Sequence, residues 1–180
     1  PECFAMTADG GRTAAQRCPS NPLFRQRAVD FVSNELRANP GADHVMVSMN
    51  DNYEVCHCPE CTKLGTNRAH LELVNYVARA VAKEFPKAKI TTLAYFFVGM
   101  PPEGYVPEPN VSIWLCTDCV PDHERHIPAR KNDIFAARMK AWAPIAPELL
   151  IWDYHVTYIN NFIYDPTLYA MSDNLKYYRD

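Results

Sequence analysis

Long apolar runs are missing from this 180-residue sequence: none approaches the roughly 18 to 20 residues of a membrane-spanning helix. Glycine is scarce at six residues, and no G-x-x-x-x-G-K-[ST], G-x-G-x-x-G or G-x-S-x-G pattern occurs, so phosphate-cradling loops and a nucleophile elbow are not expected. The sequence has no H-E-x-x-H pair for a zinc protease. It also lacks an excess of one charge. Lys+Arg 18 against Asp+Glu 21 gives a net charge of -3, which removes the electrostatic basis for binding nucleic acid or an anionic membrane surface. No basic stretch leading into an apolar one precedes Met6, which says nothing about cellular address.

The sequence is rich in core-forming side chains, 48% hydrophobic and 12% aromatic, so a globular core is expected rather than disorder. The length suits one average domain and falls short of the roughly 250 residues of a closed (β/α)8 barrel.

Periodicity gives helices and strands in alternation. Ser20-Asn21-Pro22 is a helix start, followed by a stripe of Leu23, Phe24, Val29, Phe31, Val32 and Leu36 that Asn39-Pro40-Gly41 stops. A strand is expected over His44 to Asn50, then a cysteine-rich loop, then a helix carrying Leu71, Val74, Val77, Ala78, Val81 and Phe85 up to Pro86. Lys89 to Phe97 is β-branched and aromatic and reads as a second strand. Met100 to Pro109 is a proline-rich loop. Val111 to Cys116 reads as a third strand, Ile134 to Ala143 as a helix, Leu149 to Tyr154 as a fourth strand and Leu168 to Asp180 as a last helix.

Three times a proline follows a helix and precedes a strand, at Pro40, Pro86 and Pro147, which argues for a parallel α/β arrangement. The join from Phe97 to Val111 has a loop in place of a helix, so a hairpin competes with a parallel pairing there. The parallel version is the expectation.

Ligands of parallel α/β folds meet the carboxyl ends of the strands. The expected exits are Asn50-Asp51-Asn52-Tyr53, Tyr95-Phe96-Phe97, Thr117-Asp118 and Trp152-Asp153-Tyr154-His155. Carboxylates and amides bond hydroxyls, and Trp and Tyr present flat apolar faces with a polar tip, a combination suited to carbohydrate. The plainer alternative is that Asn-Asp-Asn makes a turn.

Cys56-His57-Cys58-Pro59-Glu60-Cys61 places three thiols and an imidazole in six residues. With a fourth ligand from Cys18 or His57 they form a candidate tetrahedral Zn²⁺ site of structural type. Disulfides and free thiols are the competing readings, and seven cysteines cannot all pair within the chain. Cys116 and Cys119 form a second close pair with His123 and His126 beyond it. His70 and Glu72 are expected on a solvated helix surface, and Asp122 to His126 in a solvated loop.

Pro1-Glu2-Cys3-Phe4-Ala5, Asp9-Gly10-Gly11-Arg12, Cys18-Pro19-Ser20-Asn21-Pro22, Val47 to Asn52, the Cys56 to Cys61 loop, Thr92-Leu93-Ala94-Tyr95 and Ile151 to Tyr154 together resemble an extracellular bacterial glycoside-hydrolase-like family. That family was long known only as a domain of unknown function. It is related to the α-glucuronidase type of (β/α)8 barrel, and some members act as endo-β-N-acetylglucosaminidases.

The resemblance implies an α/β fold, a partial (β/α)8 (TIM) barrel of about four parallel strands with helices, with residues 1–180 as one segment of it. It also implies a glycan substrate, an extracellular or periplasmic location, no required cofactor, and the remainder of the barrel or a neighbouring domain as partner. Cys3 stands where many relatives carry Trp, and relatives continue beyond Asp180 into further strands with additional acidic residues.

Glycosidases use two carboxyl groups, or one that orients a substrate acetamide. Asp51 is the expected catalytic or orienting carboxylate and Asp153 the second. Asn50, Asn52, Tyr95, Asp118, Trp152 and Tyr154 are the expected substrate contacts. Strand alternation puts Trp152 and Tyr154 on one face and Asp153 on the other. The alternatives are a non-catalytic carbohydrate-binding domain and a zinc-stabilised interaction module built on Cys18, Cys56, Cys58 and Cys61.

Overall fold

The computed structural model describes residues 1–118, 126–129, 132–154 and 167–179. Cys119, His123, His155 and most of the acidic and basic run 122–126 lie outside the described residues. The fold opens with an antiparallel hairpin that strand periodicity did not disclose, β1 (Phe4–Met6) and β2 (Arg12–Arg17). Its turn contains Gly10 at φ 86, a left-handed conformation that a side chain would oppose.

Helix α1 (Pro22–Ala38) begins as its sequence dictates: Asn21 Oδ1 accepts from the Phe24 N–H at 2.9 Å, and Pro22 occupies the first helical position. Only part of the expected stripe is core. Val32 and Leu36 are buried, whereas Leu23 and Phe31 are exposed.

Strand β3 (His44–Met46) follows, then a short helix α2 (Pro59–Leu64) inside what reads as a loop, then α3 (Thr66–Val81), β4 (Lys89–Ala94) and a 3-10 turn over Phe96–Val98. Strand β5 (Val111–Cys116), α4 (Asp133–Trp142), β6 (Glu148–Trp152) and α5 (Leu168–Arg179) complete the described elements.

The second strand stops at Ala94 rather than Phe97 because Phe96 turns to φ 43 and its N–H is taken by the Asp118 carboxylate at 3.0 Å. A residue in that conformation cannot continue a ladder.

Strands β3, β4, β5 and β6 form one parallel sheet in that sequential order. The β4–β5 join is therefore parallel, and the hairpin alternative fails, although a proline-rich loop spans the crossover. Side chains alternate along β5. Val111, Ile113 and Leu115 enter the main core, where they meet Val74 and Val77 of α3 and Phe135 of α4, while Ser112, Trp114 and Cys116 point to the opposite face.

That opposite face is concave. His44 on β3 and Glu148 on β6 have two strands between them, yet His44 Nε2 lies 3.4 Å from Glu148 Oε2, and Lys89 of β4 pairs with the same carboxylate. Side chains from the outer strands of four converge only when the sheet curls toward them. A curled, all-parallel sheet in sequential order with helices on its outer face is the arrangement of a partial α/β barrel.

Candidate functional site

At the carboxyl end of β3 the chain passes through Ser48 to Tyr53. Asn50 and Asn52 both direct their amide nitrogens at the Ala15 carbonyl of β2, at 2.7 and 2.8 Å. Gln16 completes the grip: its Oε1 accepts from the Asn50 N–H, and its Nε2 donates to the Asn50 carbonyl. Each asparagine therefore commits one side-chain N–H to the hairpin. Asp51, held between them, is exposed and makes no hydrogen bond or ion pair among the described residues.

Tyr95 leaves β4 almost fully buried and donates its hydroxyl to the Met49 carbonyl at 3.2 Å. Burial, followed by the nearby Asp51 charge, pushes its pKa up to about 12. Cys116, at the end of β5, is likewise pushed up to about 12, first by burial and then by Asp118, with Tyr154 opposing through a hydrogen bond. Tyr95, Cys116 and Val98 form a small cluster against which Met49, Phe96 and Tyr154 pack. Tyr95 and Tyr154 thus share one cluster at this end of the sheet, and the Asp51 charge lies near enough to act on Tyr95 and Cys116.

A shelf of rings flanks this cluster. Tyr53 stands 5.1 Å from Phe96 and 6.3 Å from Phe97, centroid to centroid, and Phe96 lies 4.6 Å from Tyr95. Tyr53 is 75% exposed and Phe97 47%, so the outer rings offer their faces to solvent.

The remaining predicted contacts have other occupations. Both oxygens of Asp118 are used, one by Arg138 and one by the Phe96 N–H. Asp153 Oδ1 accepts from Thr117 Oγ1 and from the Tyr154 N–H, each at 2.9 Å, and its Oδ2 accepts from the Tyr178 hydroxyl of α5. Trp152 packs on Trp114 at 5.5 Å on the concave face, so it and Asp153 point apart as strand alternation requires.

His70 and Glu72 depart from their solvated reading. His70 is buried, with Nε2 at 2.8 Å from Thr92 Oγ1, and burial drives its pKa down to about 4. Glu72 is bridged by Arg25 and Arg68.

Beside the Asp51 loop, Cys18, Cys56, Cys58 and Cys61 bring their sulfurs within 4.8 Å of one another. Cys18 Sγ lies 3.7 Å from Cys58 Sγ and 3.9 Å from Cys61 Sγ. These are not disulfide separations, which are about 2.0 Å. They match the edge of a tetrahedron with metal–sulfur bonds of about 2.3 Å, which is about 3.8 Å. The Met6 and Cys61 N–H groups donate to the Cys56 and Cys58 sulfurs.

Donation from Cys61 holds the Cys18 thiol well down, to about 5, while the same pairing pushes Cys61 up. Four thiolates cannot share this volume without a cation between them. The cluster can hold a metal ion, with Cys18 as the fourth ligand. His57 instead lies exposed, anchored by its backbone N–H to the Met6 carbonyl.

Local sequence signals did not reveal Gln16, Arg138 or the buried state of His70, because each acts through a partner 20 or more residues away. A cavity of about 540 Å³ lies between α1, α3 and the β3 exit, walled by Phe24, Phe31, Met49, Asn50, Cys56 and His70.

No curated protein and no solved structure matches the chain. Its match to a family runs from residue 1 to residue 180, and the chain belongs to that family, the domain of unknown function DUF4838.

Proposed function

We propose that the strand-exit face is a glycan site of glycoside-hydrolase type and that the four-cysteine cluster is a structural Zn²⁺ centre beside it. One observation carries the first half: Asp51 is an exposed carboxylate without a hydrogen bond or ion pair among the described residues, set near Tyr95 and an exposed shelf of Tyr53 and Phe97. A sugar ring stacks on such a shelf through its C–H face while its hydroxyl or acetamide hydrogens meet the carboxylate.

In this reading Asp51 orients an acetamide whose oxygen bonds to the anomeric carbon of an N-acetylglucosamine unit as the glycosidic C–O bond breaks and the leaving oxygen takes a proton from water, which then hydrolyses the cyclic intermediate. Alternatively Asp51 itself serves as the base or nucleophile for the same cleavage. Asn50, Asn52 and Asp118 support the site through the bonds already described, and Tyr154 lines it. Asp153 positions Tyr154 by accepting its N–H. Trp152 extends the apolar wall below. Zinc is favoured for the cluster because a closed set of four thiolates suits a structural tetrahedral site.

The test is Asp51→Asn assayed on N-acetylglucosamine-containing glycans, with calorimetric binding measured in parallel. At least a hundredfold loss of turnover with an unchanged melting temperature is expected; full turnover discards the assignment. Sugar binding by the native chain without any hydrolysis establishes the non-catalytic carbohydrate-binding alternative.

A further inference from the structure

We infer that the four-cysteine metal centre is the anchor of the Asp51 loop, so that metal occupancy sets the geometry of the strand-exit site. This rests on the metal reading of the cluster but not on the identity of the glycan.

The loop runs from the end of β3 to the first cluster cysteine. At one end the Val47 N–H donates to the Thr91 carbonyl, which fixes it to the sheet. At the other end stands Cys56. Between them, the long-range hydrogen bonds of Asn50 and Asn52 go to a single element: their amides reach Ala15, and Gln16 takes both the N–H and the carbonyl of Asn50. Ala15 and Gln16 belong to β2, and β2 runs directly into Cys18, the ligand from the other side of the cluster. The hairpin is joined to the cysteine segment a second time, through the Met6 N–H to Cys56 Sγ and the His57 N–H to the Met6 carbonyl. A metal bound by Cys18 and Cys56 together therefore closes a ring of contacts around Asp51.

Apolar packing at this junction is thin. Its buried members are Cys18, Cys61 and Ala69, with Leu64 and two further cysteines partly buried against them. Leu64 is its large aliphatic side chain and is only partly buried. Small groups bury little area, and stabilisation scales with area, so the junction gains little from packing alone. Metal–thiolate bonding is the interaction able to hold the two segments in one register, as it does in small metal-folded domains. The main core joins α1, α3 and α4 to the sheet through Val32, Val77, Ile113 and Phe135, and does not run through the cysteines. Loss of the metal should loosen the hairpin and the Asp51 loop and leave β4 and β5 in place.

The experiment uses the full chain purified under reducing conditions, with metal content measured first. Amide hydrogen exchange is followed by mass spectrometry with Zn²⁺ bound, after stripping by a chelator, and after Zn²⁺ is returned. Exchange in 12–18 and 47–57 is expected to rise at least tenfold on stripping and to recover with Zn²⁺, while 89–94 and 111–116 keep their protection. In parallel, Gln16→Ala is expected to keep one equivalent of Zn²⁺ and to speed exchange at 50–54 alone.

A chain that never takes up metal overturns the metal reading and this inference with it. A chain that binds Zn²⁺ but protects 47–57 equally after stripping leaves the metal centre standing and overturns the coupling. If stripping unfolds the whole chain, Gln16→Ala decides: unchanged exchange at 50–54 overturns the coupling. None of these readouts depends on sugar, so a failed glycan assay leaves them interpretable.

Discussion

Arg138 Nη1 donates to Asp118 Oδ1 at 2.8 Å, and both side chains are nearly buried, 10% and 13% exposed. The pair clasps one residue between them: the Phe96 N–H donates to Asp118, and the Phe96 carbonyl accepts from Arg138 Nη2 at 3.2 Å. Phe96 needs the clasp because φ 43 is unfavourable for a bulky side chain. Removing one partner leaves the other charge buried and unpaired. Arg138→Met is expected to cost about 3 to 5 kcal/mol in denaturant unfolding. Gly99 makes room for the guanidinium, since a Cβ there would stand 2.3 to 2.7 Å from its atoms. Gly99→Ala should therefore destabilise the native chain and cost clearly less in an Arg138→Met background, as a double-mutant cycle reads directly. Equal costs in the two backgrounds would show that the guanidinium is free to move away.

The residues that were legible in the sequence are those governed by local rules. Asn21-Pro22 fixed the start of α1, and β5 occupies the expected span because its β-branched and aromatic residues alternate between core and concave face. Cys56, Cys58 and Cys61 are brought together largely by their own short spacing, and Cys18 was within reach of inference as a nearby thiol. The β1–β2 hairpin was missed because β1 has only three residues and β2 is polar and half exposed, leaving no apolar alternation. The support roles of Asn50, Asn52 and Asp118 depend on Ala15 and Arg138, and no local pattern announces such distant partners.

The amino-terminal end of the sheet is expected to loosen in acid. Lys89 first, with His44 helping, holds the Glu148 carboxyl down to about 2, whereas an unpaired glutamate titrates near 4.5. A depressed folded-state value gives stability that is complete above the unfolded value and is lost as pH falls through the folded one. The loss belongs between about pH 4.5 and 2. Glu148 is about a third exposed, so solvent screening keeps its size small. Glu148→Gln should flatten that part of the stability curve, measured by urea unfolding at successive pH values. An unchanged slope assigns the acid sensitivity to other groups.

His70 works in the same direction at higher pH. Its folded-state value is driven down to about 4 by burial from an ordinary 6.5, so the unfolded chain binds the proton first. Its contribution is complete above about pH 6.5 and fades as pH falls toward 4. By proton NMR its ring should stay neutral through pH 5. His70→Gln, which can still bond Thr92 Oγ1, should remove the fade between pH 6.5 and 4. A ring that titrates near neutrality would mean that water reaches it from the adjoining cavity.

Loading the four-cysteine cluster with Co²⁺ separates Cys18 from His57 as the fourth ligand. Cys18 sulfur stands 3.7 and 3.9 Å from two partner sulfurs, while the backbone N–H of His57 is held by Met6 and its ring is exposed. Four thiolates around Co²⁺ give intense tetrahedral visible bands and strong thiolate-to-metal charge transfer, and an imidazole in the set shifts both. The native chain and His57→Ala are expected to give the same four-sulfur spectrum, with affinities within about twofold. Cys18→Ala should lose the spectrum and bind at least a hundredfold more weakly, because an open position must be filled by water. The melting temperature should fall with it, since metal binding free energy at a site the unfolded chain lacks is folding free energy. A His57→Ala chain that loses the bands while Cys18→Ala retains them would move the site outward, and the short sulfur separations at Cys18 would then reflect packing alone.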